Sequence, residues 1–341
     1  MERMVCILKR SIPALLILTL AASLVSCGKS SVPESERETV PLVFESPSIV
    51  HAQESKASVD GINFPPRPSA YPLGIWIVRG GTFQEQMTPF RNMKSELNVG
   101  ADDEIHWNYY IYDGTQQYDV IYVLKGKAAD VYAYHPWCSS VSDITAVPFV
   151  SGQDDWMWAE PLHLSSADTD TDDPISRPLR FHHAMTCIEV NIRCVYQGNV
   201  YLTSMTLTDK CDSPRLSSGG TMNAATGELS CNPPVSSIRI SPNTFVSHQS
   251  AGTTFYIMMP SVGSEDNPLD LGNKPMELSF VFNGVDAETK FTLPNVMGGE
   301  ELDSFKRGYK YKYKLVLDNK MDFQPIGVEK NWGTAYVDFE L

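Results

Sequence analysis

Between residues 184 and 194 the chain alternates without a break: Ala184, Thr186, Ile188, Val190, Ile192 and Cys194 fall on one set of positions, and Met185, Cys187, Glu189, Asn191 and Arg193 on the other. A period of two belongs to an extended strand with one buried face. Further strand signals occur at residues 40–46, 73–78, 107–112, 118–124 and 130–134, then at 200–207, 253–259, 309–317 and 334–341. Residues 276–282 and 285–293 flank Asn283-Gly284, which predicts a hairpin, because Asn-Gly accepts the positive φ angles of a type I′ turn. No stretch sustains the 3.6-residue period of a long helix, so the prediction is all-β, as two antiparallel β-sandwiches. The first strand stands apart, since residues 47–70 are rich in Ser, Pro, Ala and charge before the buried-strand signal begins at Leu73.

The run Ser165-Ser-Ala-Asp-Thr-Asp-Thr-Asp-Asp-Pro174 separates two apolar regions and divides the expected sandwiches into residues 40–175 and 176–341. A linker is the simple reading. Asp168, Asp170 and Asp172 also have the spacing that opens an EF-hand calcium loop, but Asp173 stands where that loop needs Gly and Leu179 where it needs a bidentate Glu.

The amino terminus has a different pattern. Arg3, Lys9 and Arg10 precede an almost wholly apolar stretch at 12–25, the basic and apolar regions of a secretory signal over residues 1–26. It ends Leu24-Val25-Ser26-Cys27-Gly28, which resembles the lipobox of bacterial lipoproteins and makes Cys27 the candidate for lipidation; an ordinary cleavage site is the alternative. Residues 27–39 are small, polar and charged, and read as a flexible tether.

Composition narrows the function classes. A chain of 341 residues, 42% hydrophobic and 20% charged, can bury one or two ordinary cores, which excludes wholesale disorder. With 27 basic and 41 acidic residues the net charge is -14, and without residues 1–26 it is -16, from 24 basic and 40 acidic residues. Such a surface repels nucleic acid and anionic headgroups. Five cysteines remain after Cys6 and Cys27, with no CxxC pair, so a zinc site is not expected; Cys187 and Cys194 fall on opposite strand faces, and a Cys211–Cys231 disulfide is compatible with the sequence without being dictated by it.

No GxSxG, HExxH, GxGxxG or GxxxxGK[ST] occurs, and no catalytic residue, metal or cofactor is expected. His182 and His183 are adjacent on a strand and point to opposite faces, which argues against a shared metal. Asp154-Asp155-Trp156-Met157-Trp158-Ala159-Glu160 pairs carboxylates with tryptophans, as a sugar cleft would, although packed Trp with acidic turn residues is the simpler account.

An ordered set of stretches resembles the fimbrillin-like (Mfa-like) fimbrial subunits of Bacteroidales. It comprises the lipobox at Cys27, Val40-Pro41-Leu42-Val43-Phe44, Leu73-Gly74-Ile75-Trp76, Asp130-Val131-Tyr132-Ala133-Tyr134-His135-Pro136, Asp155-Trp156-Met157-Trp158-Ala159, Leu179-Arg180-Phe181-His182-His183-Ala184-Met185, Phe305-Lys306-Arg307-Gly308-Tyr309-Lys310-Tyr311 and Asn331-Trp332-Gly333. The resemblance implies two transthyretin-like sandwich domains, a lipoprotein precursor on the outer membrane, and assembly with other fimbrial subunits after a protease removes the first strand. The strand removed would be the one carrying Leu42 and Phe44, and Lys56-Ala57 resembles the basic-residue-then-Ala cut. Removing an interior strand exposes backbone groups and an apolar groove that an extended segment of another subunit can fill. The donor would be the carboxyl terminus, where Ala335, Val337, Phe339 and Leu341 alternate with Tyr336, Asp338 and Glu340. Two alternatives stay open: a tip or anchor subunit whose last strand completes its own domain, and a monomeric lipoprotein binding glycans, with a host or bacterial surface receptor, through Trp107, Tyr109, Trp156 or Trp158.

Overall fold

The computed structural model describes residues 39–44, 48–49, 71–79, 91–99, 105–111, 116–118, 120–195, 198–264, 268–283, 288–297, 299–318 and 322–330. The expected signal peptide, Cys27, Lys56 and the segment Ala335, Val337, Phe339 and Leu341 lie outside them.

In the first part of the chain the strands are β1 Thr39–Phe44, β2 Ser48–Ile49, β3 Tyr71–Arg79, β4 Met93–Val99, β5 Ile105–Ile111, β6 Gln116–Tyr118, β7 Ile121–Leu124 and β8 Ala129–His135. They continue with β9 Val147–Val150, β10 Met157–Ala159, β11 Leu162–Leu164, a short helix α1 Ser166–Thr169, β12 Ile175–Arg177 and β13 Arg180–His183. The second part opens with β14 Thr186–Cys194, β15 Tyr201–Asp209, β16 Leu216–Ser217, β17 Gly219–Met222, β18 Leu229–Cys231, β19 Pro234–Val235 and β20 Ser237–Ile240. It closes with β21 Thr244–Phe245, β22 Thr253–Met259, β23 Met276–Phe282, β24 Thr289–Thr292, β25 Val296–Met297, β26 Glu300–Glu301, β27 Tyr309–Leu317 and β28 Asp322–Lys330.

A nine-stranded sheet built on the path β2-β13-β10-β8-β3-β4-β5-β6 and a three-stranded sheet β12-β1-β7 share the first apolar core. Ile75, Ile77 and Val131 come to it from the large sheet, and Leu42, Ile121, Val123 and Ile175 from the small one. The second core lies among β22-β14-β27-β28, the sheet built on β20-β15-β23-β24 and the segments around them, filled by Ile188, Val190, Leu207, Phe280, Tyr313 and Leu315. A third cluster joins Trp76, Tyr132 and Tyr134 to Met185, Cys187, Met222 and Met258.

The alternation at 184–194 behaves as its period requires. Ile188, Val190, Ile192 and Cys194 enter the second core, while Cys187 faces the third cluster. All five described cysteines are free thiols, Cys211 and Cys231 included.

Three expectations are corrected. Three of the sheets are mixed, not antiparallel throughout: β1 with β12, β2 with β13, and β14 with β27 run parallel, each pair separated by a long intervening chain, which parallel pairing requires. Residues 118–124 are not one strand, because β6 pairs with β5 in the large sheet whereas β7 pairs with β1 in the small one. The hairpin at Asn283-Gly284 exists, but Glu277 opposite Thr292 and Phe280 opposite Thr289 centre it one residue beyond the Asn-Gly turn. Asn283 is held by β15 instead: its backbone N–H bonds the Tyr201 carbonyl, its Oδ1 accepts from the Tyr201 N–H, and its Nδ2 donates to the Asn199 carbonyl. Around the expected 175/176 division, β12 straddles the boundary and pairs with β1, β13 follows it and pairs with β10, and β9 reaches across it to pair with β17.

Candidate functional site

The strand β1 has the burial pattern of an interior element. Val40, Leu42 and Phe44 are buried, while Val43 is 41% exposed on the opposite face. Each inward side chain contributes about 1.5–3 kcal/mol by leaving water. The two neighbours of β1 are staggered. Residues Thr39 to Leu42 pair antiparallel with Leu124 to Ile121, whereas Leu42 to Phe44 pair parallel with Ile175 to Arg177. Leu42 is the residue shared by both ladders. Pro41 lies in the half that pairs only with β7, where a missing N–H leaves the β12 ladder intact.

The two strands beside β1 were only half visible in the sequence. Ile121 and Val123 carry the alternation that marks β7, but β12 has a single buried apolar residue, Ile175, directly after the acidic run. That run is structured by its own side chains. Ser165 caps α1 by accepting from the Asp168 N–H, and the Asp168 carboxylate accepts from the Ser165 N–H and hydroxyl, a reciprocal capping box. The Ser165 bonds hold the Asp168 carboxyl below the usual carboxylate range, and Arg177 adds to this from 3.4 Å. Asp172 is likewise held low by its hydrogen bond to Lys125, 2.5 Å away. Two of the three carboxylates suggested for calcium, Asp168 and Asp172, are thus engaged by a helix cap and a lysine, and no cluster able to hold a metal occurs among the described residues.

The histidines and tryptophans are built into the packing between the first core and the third cluster. His183 Nδ1 and Asp155 Oδ2 lie 2.6 Å apart in a buried pair, while His182 Nε2 faces Glu160 Oε1 at 3.0 Å on the other side of β13. Trp156 is buried, and Trp158 stacks on His182 with ring centroids 5.0 Å apart under the Arg307 guanidinium. Arg307 donates to the carbonyls of His183 and Thr226, tying β13 to the turn at 223–227. These two tryptophans do not form an exposed sugar platform, which corrects that alternative at Trp156 and Trp158; the side chains of Trp107 and Tyr109 lie outside the described residues.

The architecture and the site define a class: an all-β protein of stacked mixed sheets, its first strand seated as an interior strand of a small sheet. A family model described as Fimbrillin-like matches residues 70–331, and the chain belongs to the fimbrillin-like family of bacterial fimbrial and cell-adhesion proteins. Membership places it with structural proteins of the cell surface that associate with other fimbrial subunits. No curated protein matches the sequence. Among solved structures, one from Bacteroides ovatus described as a candidate cell adhesion protein has a TM-score of 0.52 at 13% identity, covering 87% of this chain and 99% of its own. One from Bacteroides uniformis with the same description has a TM-score of 0.50 at 14% identity, covering 77% and 93%. At these identities the likeness is one of fold.

Proposed function

We propose that the chain is a lipid-anchored precursor of a surface fimbrial subunit, whose work is polymerisation and adhesion, and which assembles by exchanging its first strand for an extended segment of another subunit. The observation that supports this reading is the seat of β1. Its neighbours β7 and β12 are both bonded to it and not to each other, so its departure opens a slot with two unpaired walls above an apolar floor. Such a slot recruits an extended segment, with backbone bonds giving affinity and alternate side chains giving register.

In this reading the signal peptide ends at Ser26, Cys27 takes the lipid, and anchoring in the outer membrane is stable because a lipoprotein terminus carries several acyl chains. A protease cuts after Lys56, within the segment that joins β2 to β3. The segment with Ala335, Val337, Phe339 and Leu341 enters the slot of the next subunit, presenting a row of apolar residues where Val40, Leu42 and Phe44 had been. The body divides into two sandwiches, with β12 and β13 counted in the first.

Limited trypsin digestion of the mature protein, followed by amino-terminal sequencing and size-exclusion chromatography, tests the proposal. A cut at Lys56 that leaves residues 71–330 folded and moves the protein into oligomers is the expected result. A cut product that stays monomeric with β1 still bound contradicts it.

A further inference from the structure

The slot around β1 has a feature that strand exchange alone does not require. Lys125 directly follows β7, Asp172 lies three residues before β12, and their side chains meet at 2.5 Å, which spans from one wall of the slot to the other at the end where β1 begins. Two strands flanking a third stand about 9.5 Å apart, a distance that a lysine side chain helps to bridge. Beside this pair is a second link, anchored on a buried residue. Thr169, fully buried at the end of α1, donates its hydroxyl to the Lys127 carbonyl at 2.9 Å, and its own carbonyl accepts from the Gly126 N–H at 3.2 Å. At the other end of the segment, Arg177 of β12 reaches back to Asp168. Residues 165–174 are thereby bonded to the turn after β7 and to β12, and none of these bonds uses an atom of β1.

We infer that residues 165–174 form a strut that keeps the walls of the slot at one strand's width when β1 leaves, with Thr169 as its principal positioning residue. The inference rests on the strand-exchange reading and adds a requirement to it. An apolar slot without such a support closes on itself, since β7 and β12 are short and their inward residues would collapse onto the floor once Leu42 and Phe44 are gone. Of the three contacts with residues 125–127 the ion pair is the weakest, because the Asp172 side chain is almost fully exposed. The Thr169 hydroxyl is the strongest, because it is held on a fully buried side chain and its bond to the Lys127 carbonyl is partly shielded from water.

The test uses the full chain with a specific protease site placed within residues 51–60. After cutting, β1 is held without covalent attachment, and a fluorescent peptide of residues 39–44 is added in excess. The wild-type chain and Thr169→Ser, which keeps the hydroxyl, are expected to take up the peptide, while Thr169→Val binds it roughly tenfold or more weakly. Equal uptake by all three overturns the strut and leaves strand exchange standing. Failure of the wild-type chain to take up the peptide overturns both. Amide exchange of the uncut Thr169→Val chain separates a strut from a general folding role. Protection of β1 unchanged from wild type is expected, and its loss before any cut would show that Thr169 merely holds the fold together.

Discussion

Leu42 stands opposite Ile121 in one ladder and opposite Ile175 in another, so one side chain joins an antiparallel and a parallel neighbour across the small sheet. The stability of β1 is concentrated there. Leu42→Ala is expected to cost about 2–5 kcal/mol in urea unfolding, as removing a buried side chain from a packed core does. Val43→Ala, on the outward face, is expected to change stability by no more than about 0.5 kcal/mol. Comparable costs at the two positions would show that β1 is not seated as described.

Gly227 adopts a φ of 65°, and a Cβ built on it would run into the Trp158 indole and the Arg307 guanidinium. Gly227→Ala therefore meets both backbone strain and overpacking, with an expected loss of about 1–3 kcal/mol. The check is thermal unfolding alongside Gly198→Ala, where the added methyl meets open space. An equal fall in Tm for the two variants would remove Trp158 from the joint between the cores.

Asp209 is buried, and burial alone would raise its carboxyl; the Arg215 side chain, 2.6 and 3.0 Å away, and the N–H groups of Cys211 and Arg215 outweigh burial and hold it below the usual range. A carboxyl depressed in the folded state contributes stability above its unfolded value, and that contribution is lost as the pH falls through the folded one. The stability of wild type over Asp209→Asn should be fully present above about pH 4 and should shrink as the pH falls further. Urea midpoints for both proteins from pH 7 to pH 2.5 measure it, and a difference that grows on acidification would reverse the assignment.

Thiol labelling with iodoacetamide tests the cysteine environments. Cys231 is exposed on β18, whereas Cys187 and Cys194 are buried, with burial pushing the Cys187 thiol up. Native protein should label at Cys231 and leave Cys187 and Cys194 unmodified until denaturant is added. Early labelling at Cys187 would place it outside the third cluster.

What the sequence revealed depended on whether the deciding forces were local. The strand at 184–194 was legible because its two faces meet different surroundings, and Leu42 and Phe44 were legible because alternate positions carry the apolar groups. The parallel partner of β1 was not, since Ile175 is one apolar residue in a three-residue strand and nothing nearby marks its pairing with a strand far earlier in the chain. The Asn283 turn was misplaced for a related reason: local preference favoured Asn-Gly, but long-range bonds to Tyr201 and Asn199 claimed the side chain. The acidic run reads in the sequence as a linker and not as a capped helix, although Ser165 and Asp168 have the spacing of a capping box. Thr169 and Lys125 gave no signal, because their partners lie across the slot.

The central claim is that the seat of β1 is refilled from another chain. Amide exchange on the assembled oligomer, with mass spectrometry of its peptides, tests it most directly. The account predicts that residues 39–44 are absent from the oligomer while the amides of β7 and β12 are as protected as in the precursor. An oligomer that retains a protected β1, or one whose β7 and β12 amides exchange freely, would contradict it.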